Sequence, residues 1–320
     1  MNNAPLHPGP RDPATPRPRD GGPRPRDGGP PLPWFLRALR VLPPRVAKQL
    51  GGALGELFGR LPMRDQRRCR EHLARGYPQA DAAWVERTAR RCFRHVGGMA
   101  LWTVATIPRD PFTLRRQIMV EGAENAHALL QRCRRGQGTV IASGHLGNWE
   151  LLPRVGGTVI PLSVIGRRLR WPWADAMVRR IRESGGARQL DQDIDIRELV
   201  RELRQGRPVG TLPDQDVPRL AGVFVPWFGI PAYTPVGPAA LAGFADGYVI
   251  PVFMLERQGR WVLHCGPLRH FPRSRDRAAD QLAITAWFMR YEEALVRQIP
   301  HQWVWWHRRW RTRPEDRPGA

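Results

Sequence analysis

Apolar positions follow two different patterns on the two sides of residue 110. On the N-terminal side they recur at helical spacing, as in 46–58, where apolar residues share one face and basic residues lie off it. On the C-terminal side, short apolar runs alternate with amphipathic stretches. This alternation predicts an α/β fold with a mostly parallel central sheet flanked by helices.

The predicted strands are short apolar runs at 117–121, 138–143, 158–165, 208–212, 222–228, 248–255 and 260–266. The predicted helices are two within 64–107, followed by stretches near 123–135, 148–155, 172–184, 194–205, 236–245 and 276–298. The uncharged stretch 220–245 suggests a transmembrane helix, but its prolines and glycines interrupt any single helix. We expect a buried or lipid-facing loop and a short strand there.

The patterns divide the chain into three regions. Residues 1–31 are mostly Pro, Gly, Arg and Asp, which predicts a disordered tail. Residues 32–110 form a helical region, and residues 111–313 form the α/β domain. Charges interrupt 32–61 too often for a spanning helix, so we expect a basic amphipathic segment that associates with a membrane. Ordinary helices packed on the core would give the same pattern, and the sequence leaves that alternative open.

The net charge of the chain indicates which classes of partner it can bind. The 320 residues include 51 Lys and Arg but only 29 Asp and Glu, a net charge of +22. Such a balance favours nucleic acid, anionic lipid, a phosphorylated substrate or an acidic carrier protein. The 13 tryptophans suit a membrane interface as well as base stacking. Four widely separated cysteines and the lack of an apolar leader are typical of a reducing, cytosolic setting.

The clearest chemical signal is a histidine directly after the predicted strand 138–143. His145 would lie at the carboxyl end of that strand, where open α/β sheets bind ligands. Asn148 is a good helix cap, and Glu150 would follow in the first helical turn. A carboxylate five residues after a histidine can face the ring, fix one tautomer and leave the other nitrogen free as a base. A structural histidine capped by its neighbour is the alternative.

Two other kinds of chemistry fit this stretch poorly. The spacing from His145 to Glu150 is one residue longer than a zincin ligand pair, and no second histidine is nearby, so we expect no metal. Ser143 does not stand in a Gly-x-Ser-x-Gly pattern, so it is a poor nucleophile. A positioned base is the chemistry that remains.

Three ordered blocks together carry a family resemblance. They are the His-x4-Glu block 143–150, the block 213–216 with 222–229 and 231–234, and the ending 291–303 with 307–309. With these blocks the chain resembles the lipid A biosynthesis acyltransferases, the lauroyl/myristoyl transferase family of the lysophospholipid acyltransferase superfamily. The resemblance covers roughly residues 32–313.

The resemblance implies a glycerolipid-acyltransferase-like fold and an activity. The activity is transfer of a fatty acyl chain from a thioester on acyl carrier protein to a hydroxyl of a phosphorylated membrane glycolipid, first of all a lipid A precursor. It also implies a peripheral or monotopic protein on the cytoplasmic face of the bacterial inner membrane. We expect no cofactor and no nucleic-acid partner.

The residue chemistry agrees with acyl transfer. An alcohol is a weak nucleophile near neutral pH, so we assign His145 as general base and Glu150 as its orienting partner. Backbone N–H groups of Gly147 and Asn148 are predicted to stabilise the tetrahedral oxyanion. No covalent acyl-enzyme is needed.

Arginine is predicted to bind the acceptor phosphates. Arg182 corresponds best to the substrate arginine that the resemblance implies, and Arg167 and Arg179 are weaker choices. The other predicted substrate-binding residues are Asp214, Gln215, Gly229 and Thr234. The first two end the strand 208–212, where a turn cap is the alternative role, and the last two would shape the acceptor loop.

Several alternatives stay open. The acceptor can be another lipid, such as a phosphatidylinositol mannoside, an ornithine lipid or a polyene lipid. The same base acting on water would make a thioesterase or lipid hydrolase. A nucleic-acid-binding protein explains the charge but gives the His145 block no role. The Trp-rich run 302–310 would either grip headgroups or cover one end of the sheet.

Overall fold

A computed structural model describes residues 39–317, so the predicted tail 1–31 and its boundary lie outside the described residues. The longer helices are α1 (Pro44–Gly59), α2 (Arg64–Gly76), α3 (Ala82–Ala105), α5 (Ala123–Arg134), α7 (Pro172–Glu183), α8 (Ile196–Arg204) and α10 (Arg277–Gln298). The short ones are α4 (Pro111–Arg115), α6 (Leu151–Gly156) and α9 (Gly237–Ala242), with 3-10 turns at Pro300–Gln302 and Pro314–Asp316. The strands are β1 (Met119–Glu121), β2 (Val140–Ala142), β3 (Ser163–Gly166), β4 (Arg188–Asp191), β5 (Val209–Thr211), β6 (Gly222–Trp227), β7 (Ile230–Pro235), β8 (Tyr248–Arg257), β9 (Arg260–Cys265) and β10 (Arg269–His270).

The central sheet has the strand order β1-β9-β8-β2-β5-β3-β4, with β10 paired to β8. The five strands from β8 to β4 are mutually parallel, whereas β9 runs antiparallel to β8. Every residue of β2 and β5 is buried, as expected for strands covered on both faces. The predicted α/β fold with a mostly parallel sheet flanked by helices is confirmed.

The register of β2 and β5 positions the site. The two strands are parallel neighbours, and Ala142 pairs with Thr211. The third residue after Ala142 is His145, and the third residue after Thr211 is Asp214. Parallel strands in register deliver their following residues to the same edge of the sheet, so these two side chains emerge side by side.

The uncharged stretch folds differently from the predicted loop. Its strand at 222–228 is present, but 230–235 forms a second strand, and the two make a separate antiparallel hairpin. Phe228 and Gly229 form the two-residue turn with φ values of 54° and 76°, the conformation that tight hairpins require. Prolines in β7 hid this strand, because proline is tolerated only where the ladder needs no N–H donor.

The N-terminal helices pack tightly by means of glycine. A Cβ on Gly55 would lie 2.1 Å from the carbonyl oxygen of Phe93, so only glycine lets α1 approach α3 this closely. The outward side of α1 exposes Val46, Leu50, Leu54, Leu57 and Phe58. No helix among residues 39–317 is both long and apolar enough to cross a bilayer.

The Trp-rich C-terminal run covers the sheet. Trp303 and Trp305 are fully buried and Trp310 is 8% exposed. Both of the fully buried rings pack into the main core with Trp227 and Phe228. The alternative in which these rings grip lipid headgroups is therefore wrong.

Candidate active site

His145 is held by Asp214 through two hydrogen bonds. Its ring Nδ1 lies 2.8 Å from one carboxylate oxygen, and its backbone N–H donates to the other over 2.7 Å. Trp303 Nε1 donates to the same second oxygen over 3.0 Å. The Asp214 side chain is fully buried, and that of His145 is 19% exposed. The ring is therefore fixed on one side and reaches solvent on the other.

Electrostatics keeps Asp214 ionised. Burial by itself raises the pKa of a carboxyl group, but the charge of His145 and the hydrogen bonds from its ring and backbone outweigh burial and lower the pKa of Asp214 to about 2. An ionised carboxylate accepts hydrogen bonds only, so Nδ1 carries the ring proton and Nε2 carries the lone pair. The Gln215 amide nitrogen lies 2.9 Å from that Nε2. The same nitrogen lies 3.1 Å from Nδ1, so the Gln215 amide lies against the ring and not along the Nε2 lone pair.

The predicted contact between Glu150 and His145 is wrong. The two Glu150 oxygens accept from Nε and Nη2 of Arg182, both over 2.7 Å. Helix α6 starts only at Leu151, so Glu150 precedes the first turn and faces α7, where Arg182 offers a charged fork. Gly166 leaves room for this arginine, since a Cβ there would lie 2.5 Å from Nη1.

The two predicted oxyanion donors are already engaged. The N–H of Gly147 donates to the Gln302 carbonyl over 3.0 Å, and the N–H of Asn148 donates to the Met254 carbonyl over 2.7 Å. These bonds tie the loop after His145 to the sheet and to the C-terminal run. The prediction that these N–H groups bind an oxyanion is therefore wrong. Asn148 instead acts as a cap, because its Oδ1 accepts from Leu151 N over 3.0 Å.

An apolar cavity opens beside the histidine. Its walls come mainly from α5, α6 and the strands β2, β3 and β9, and are formed largely by Leu129, Leu130, Ile141, Leu152, Val155, Ile160, Leu162, Val164, Val252 and Leu263. The lining also includes Ser143, Trp149 and Arg182. The centre of the Trp149 ring lies 5.2 Å from the centre of the His145 ring, so the cavity reaches the side of the histidine. A narrow apolar space next to a polar pair suits a hydrocarbon chain with a reactive end.

A buried acid lies beneath the histidine turn, and sequence reasoning gave it no role. Glu292 of α10 is fully buried, and neither of its oxygens has a hydrogen-bond partner among the described residues. A Cβ on Gly144 would lie 1.8 Å from one of them, so only glycine fits before His145. Burial, and then the charge of Asp214, raise the pKa of Glu292 well above its usual range. Burial therefore favours the protonated, neutral form of Glu292.

Comparison with known proteins decides the family. The model of the bacterial lipid A biosynthesis acyltransferase family matches residues 33–312. The chain belongs to this family. The His145 block and the buried Asp214 both lie inside the matched region.

Individual relatives of this acyltransferase cover most of its length. The lipid A biosynthesis palmitoleoyltransferase of Escherichia coli (strain K12) is 25% identical over 281 residues, 85% of this chain and 87% of its own. The lauroyltransferase of the same strain is 26% identical over 282 residues, 87% of this chain and 89% of its own. A phosphatidylinositol mannoside acyltransferase of Mycolicibacterium smegmatis is 27% identical over 180 residues, 52% of this chain and 55% of that protein.

The remaining predicted residues of this acyltransferase lie outside the lining of the apolar cavity. Gly229 is at the exposed hairpin turn, and Thr234 is fully buried and accepts from Arg309 over 2.6 Å. Arg179 pairs with Asp191 over 2.6 Å, and Arg167 is exposed. None of these four side chains lines the apolar cavity.

A second histidine stands against the first, and no role was predicted for it. The ring of His307 lies 5.2 Å from the ring of His145, edge to face. Burial lowers the pKa of His307 to about 4, so this ring is neutral near pH 7. It belongs to the C-terminal block of the resemblance, but sequence spacing alone gives no sign that it meets a residue 162 positions earlier. Its neutral ring adds bulk rather than charge beside His145.

Proposed function

We propose that this acyltransferase moves a fatty acyl chain from a thioester on acyl carrier protein to a hydroxyl of a phosphorylated glycolipid, a lipid A precursor. The observation that carries the proposal is the His145–Asp214 pair at the side of an apolar cavity. The family and its lipid A relatives supply the substrate class.

The geometry supports general-base catalysis by His145. Asp214 fixes the tautomer, so Nε2 removes the hydroxyl proton while the alcohol oxygen attacks the thioester carbonyl. The buried carboxylate stabilises the imidazolium that forms. When the tetrahedral intermediate collapses, the carbon–sulfur bond breaks and the imidazolium returns its proton to the leaving thiolate.

The cavity supports binding of the acyl chain. Each methylene moved from water into an apolar site contributes about 0.8 kcal/mol, so a chain lying among these Leu, Ile and Val side chains is held without polar contacts. The same apolar walls exclude water from the thioester, which favours transfer over hydrolysis.

Arg182 is proposed to contact the acceptor phosphate or the polar end of the donor. It lies at the edge of the cavity, and its fork is held by Glu150 and, over 3.1 Å, by the side chain of Gln189. We assign Glu150 the role of positioning Arg182. Arginine held in this way loses little freedom when an anion binds.

Helix α1 is proposed to rest on the cytoplasmic face of the bacterial inner membrane. Its exposed apolar stripe is flanked by Arg45 and Arg60, which suits anionic lipid. A peripheral or monotopic attachment would bring the cavity to its lipid acceptor. The partial match to a phosphatidylinositol mannoside acyltransferase makes another phosphorylated glycolipid the second candidate acceptor.

The test is a radiolabelled acyl-carrier-protein assay against a panel of lipid acceptors. We expect labelled phosphorylated glycolipid from the native chain and a loss on the order of 10²-fold or more for His145→Ala with the fold retained. His127→Ala, an exposed histidine on α5, is the matched control and should keep full activity. Release of free fatty acid at the same rate with and without acceptor would assign a thioesterase and overturn the proposal.

A further inference from the structure

A second cavity, polar rather than apolar, lies between α1, α3 and the turn that joins β8 to β9. It encloses about 530 Å³ and shares no lining residue with the apolar cavity. Its lining includes Lys48, Arg91, Arg94, Arg257 and one carboxylate, Glu256. The proposed reaction assigns no role to this polar cavity, since neither His145 nor the apolar cavity for the acyl chain forms part of it.

The single carboxylate of this polar cavity is already neutralised. Glu256 pairs with Lys48 Nζ over 2.7 Å and lies 3.4 Å from His95 Nδ1. Burial alone would raise the pKa of Glu256, but the hydrogen bonds from His95 and Lys48 lower it to about 2. Glu256 is therefore ionised, and these two partners balance its charge. An excess of positive charge is left for a ligand.

The excess is carried by two arginines. Arg94 is paired with Glu56 over 2.8 Å. Arg257 reaches Glu121 only at 3.8 Å, and Arg91 has no carboxylate within ion-pair distance in residues 39–317. They belong to different elements, α3 and the end of β8, and both line the polar cavity. Two arginine forks in one polar cavity match the several oxygens of a phosphate better than a single carboxylate does.

We propose that this polar cavity binds a phosphate group. Its back wall supports the loop that follows His145. His95 Nε2 lies 3.4 Å from the Gly147 carbonyl oxygen, and the Gln302 carbonyl accepts from Gly147 N over 3.0 Å. The Gln302 side chain in turn makes two hydrogen bonds with the backbone of Glu256. Phosphate bound here would stiffen the wall on which the catalytic loop rests.

The phosphate can belong to a soluble compound or to a lipid headgroup, and binding measurements separate the two. Isothermal titration of the full chain with inorganic pyrophosphate tests the site itself, on the native chain and on His145→Ala. Because binding is the readout, failure of the acyl-transfer proposal would leave this result untouched. Vesicles containing phosphatidic acid are then added as competitor. Displacement of pyrophosphate assigns the site to a headgroup, and no displacement assigns it to a soluble ligand.

The decisive variant is R91Q/R257Q, and the charge-matched control is R273Q/R275Q on an exposed loop outside both cavities. We expect at least tenfold weaker pyrophosphate binding for the first pair and unchanged binding for the second. R91Q and R257Q are also measured singly, so that an unfolded double variant does not decide the outcome. Equal weakening in both pairs, or no binding by the native chain, would overturn the proposal.

Discussion

Asp214 accepts hydrogen bonds from the ring and backbone of His145 and from Trp303 while it is completely buried. A buried carboxylate is stable only when its lone pairs are satisfied, so the three donors explain how a charge can lie below the base. A neutral amide in place of the carboxylate could donate to Nδ1 as well as accept from it, so the ring would be free to change tautomer. At the residue scale, the proposed chemistry therefore depends on the Asp214 side chain behind His145.

Glu292 gives a prediction about stability and pH. Its pKa is raised in the folded protein, so the native state holds a proton that the unfolded state releases above the ordinary value of 4.5. Stability contributed by the neutral acid is therefore present below that pH and is lost as pH rises toward the folded pKa, by about 1.4 kcal/mol per pH unit. Glu292→Gln, which stays neutral, should gain stability over the native chain as pH rises.

Chemical denaturation at pH 5, 6, 7 and 8 checks this prediction. Glu71→Gln, an exposed glutamate on α2, controls for the loss of one negative charge. A constant difference between Glu292→Gln and the native chain across this range would contradict the neutral-acid assignment.

The sequence predicts only the part of the site that follows directly from one strand. The apolar run before His145 and the glycines around it place a histidine at the carboxyl edge of a sheet, and this is correct. Local spacing predicts a partner five residues later, at Glu150, because the sequence does not show which strand lies beside β2. The sequence places Asp214 at the end of the strand 208–212, but its contact with His145 depends on the β2–β5 pairing. Glu292 and Trp303 approach from still more distant segments.

Elements with strong patterns were predicted well, and atypical ones were missed. Helices α5, α7 and α10 lie where amphipathic spacing put them, and β8 and β9 lie where long apolar runs put them. Strand β4 begins with an exposed arginine and β7 contains prolines, so neither shows the expected pattern. The tertiary context forms both strands, since β4 pairs with β3 and β7 pairs with β6.

Close packing of α1 on α3 gives a prediction at the element scale. Gly55→Ala puts a Cβ 2.1 Å from the Phe93 carbonyl oxygen, so the helices must separate. We expect a loss of about 1–3 kcal/mol in the free energy of unfolding, measured by denaturant titration. Gly237→Ala, where an added Cβ meets nothing within 4 Å, is the control and should change stability little. Equal stability of both variants would contradict the packing described here.

The whole molecule combines a net charge of +22 with one helix whose apolar side is exposed. If α1 rests on a membrane, Leu54→Lys should weaken binding to anionic vesicles roughly tenfold, because burial of a leucine contributes about 1.5–3 kcal/mol. Leu282→Lys adds the same charge at another exposed leucine, 44% exposed against 54% for Leu54, and should leave vesicle binding unchanged or stronger. If both variants change vesicle binding equally in a sedimentation assay, α1 is not the part of the protein that contacts the membrane.

The central claim is that Asp214, rather than Glu150, orients the catalytic base. The most direct measurement compares kcat for acyl transfer in Asp214→Asn and Glu150→Gln with the native chain at saturating donor. We predict that Asp214→Asn loses roughly 10²–10⁴-fold in kcat, because the ring can no longer hold its tautomer. Glu150→Gln should keep kcat within tenfold and mainly raise KM for the substrate that Arg182 contacts. A kcat loss confined to Glu150→Gln, with Asp214→Asn near native, would contradict the account.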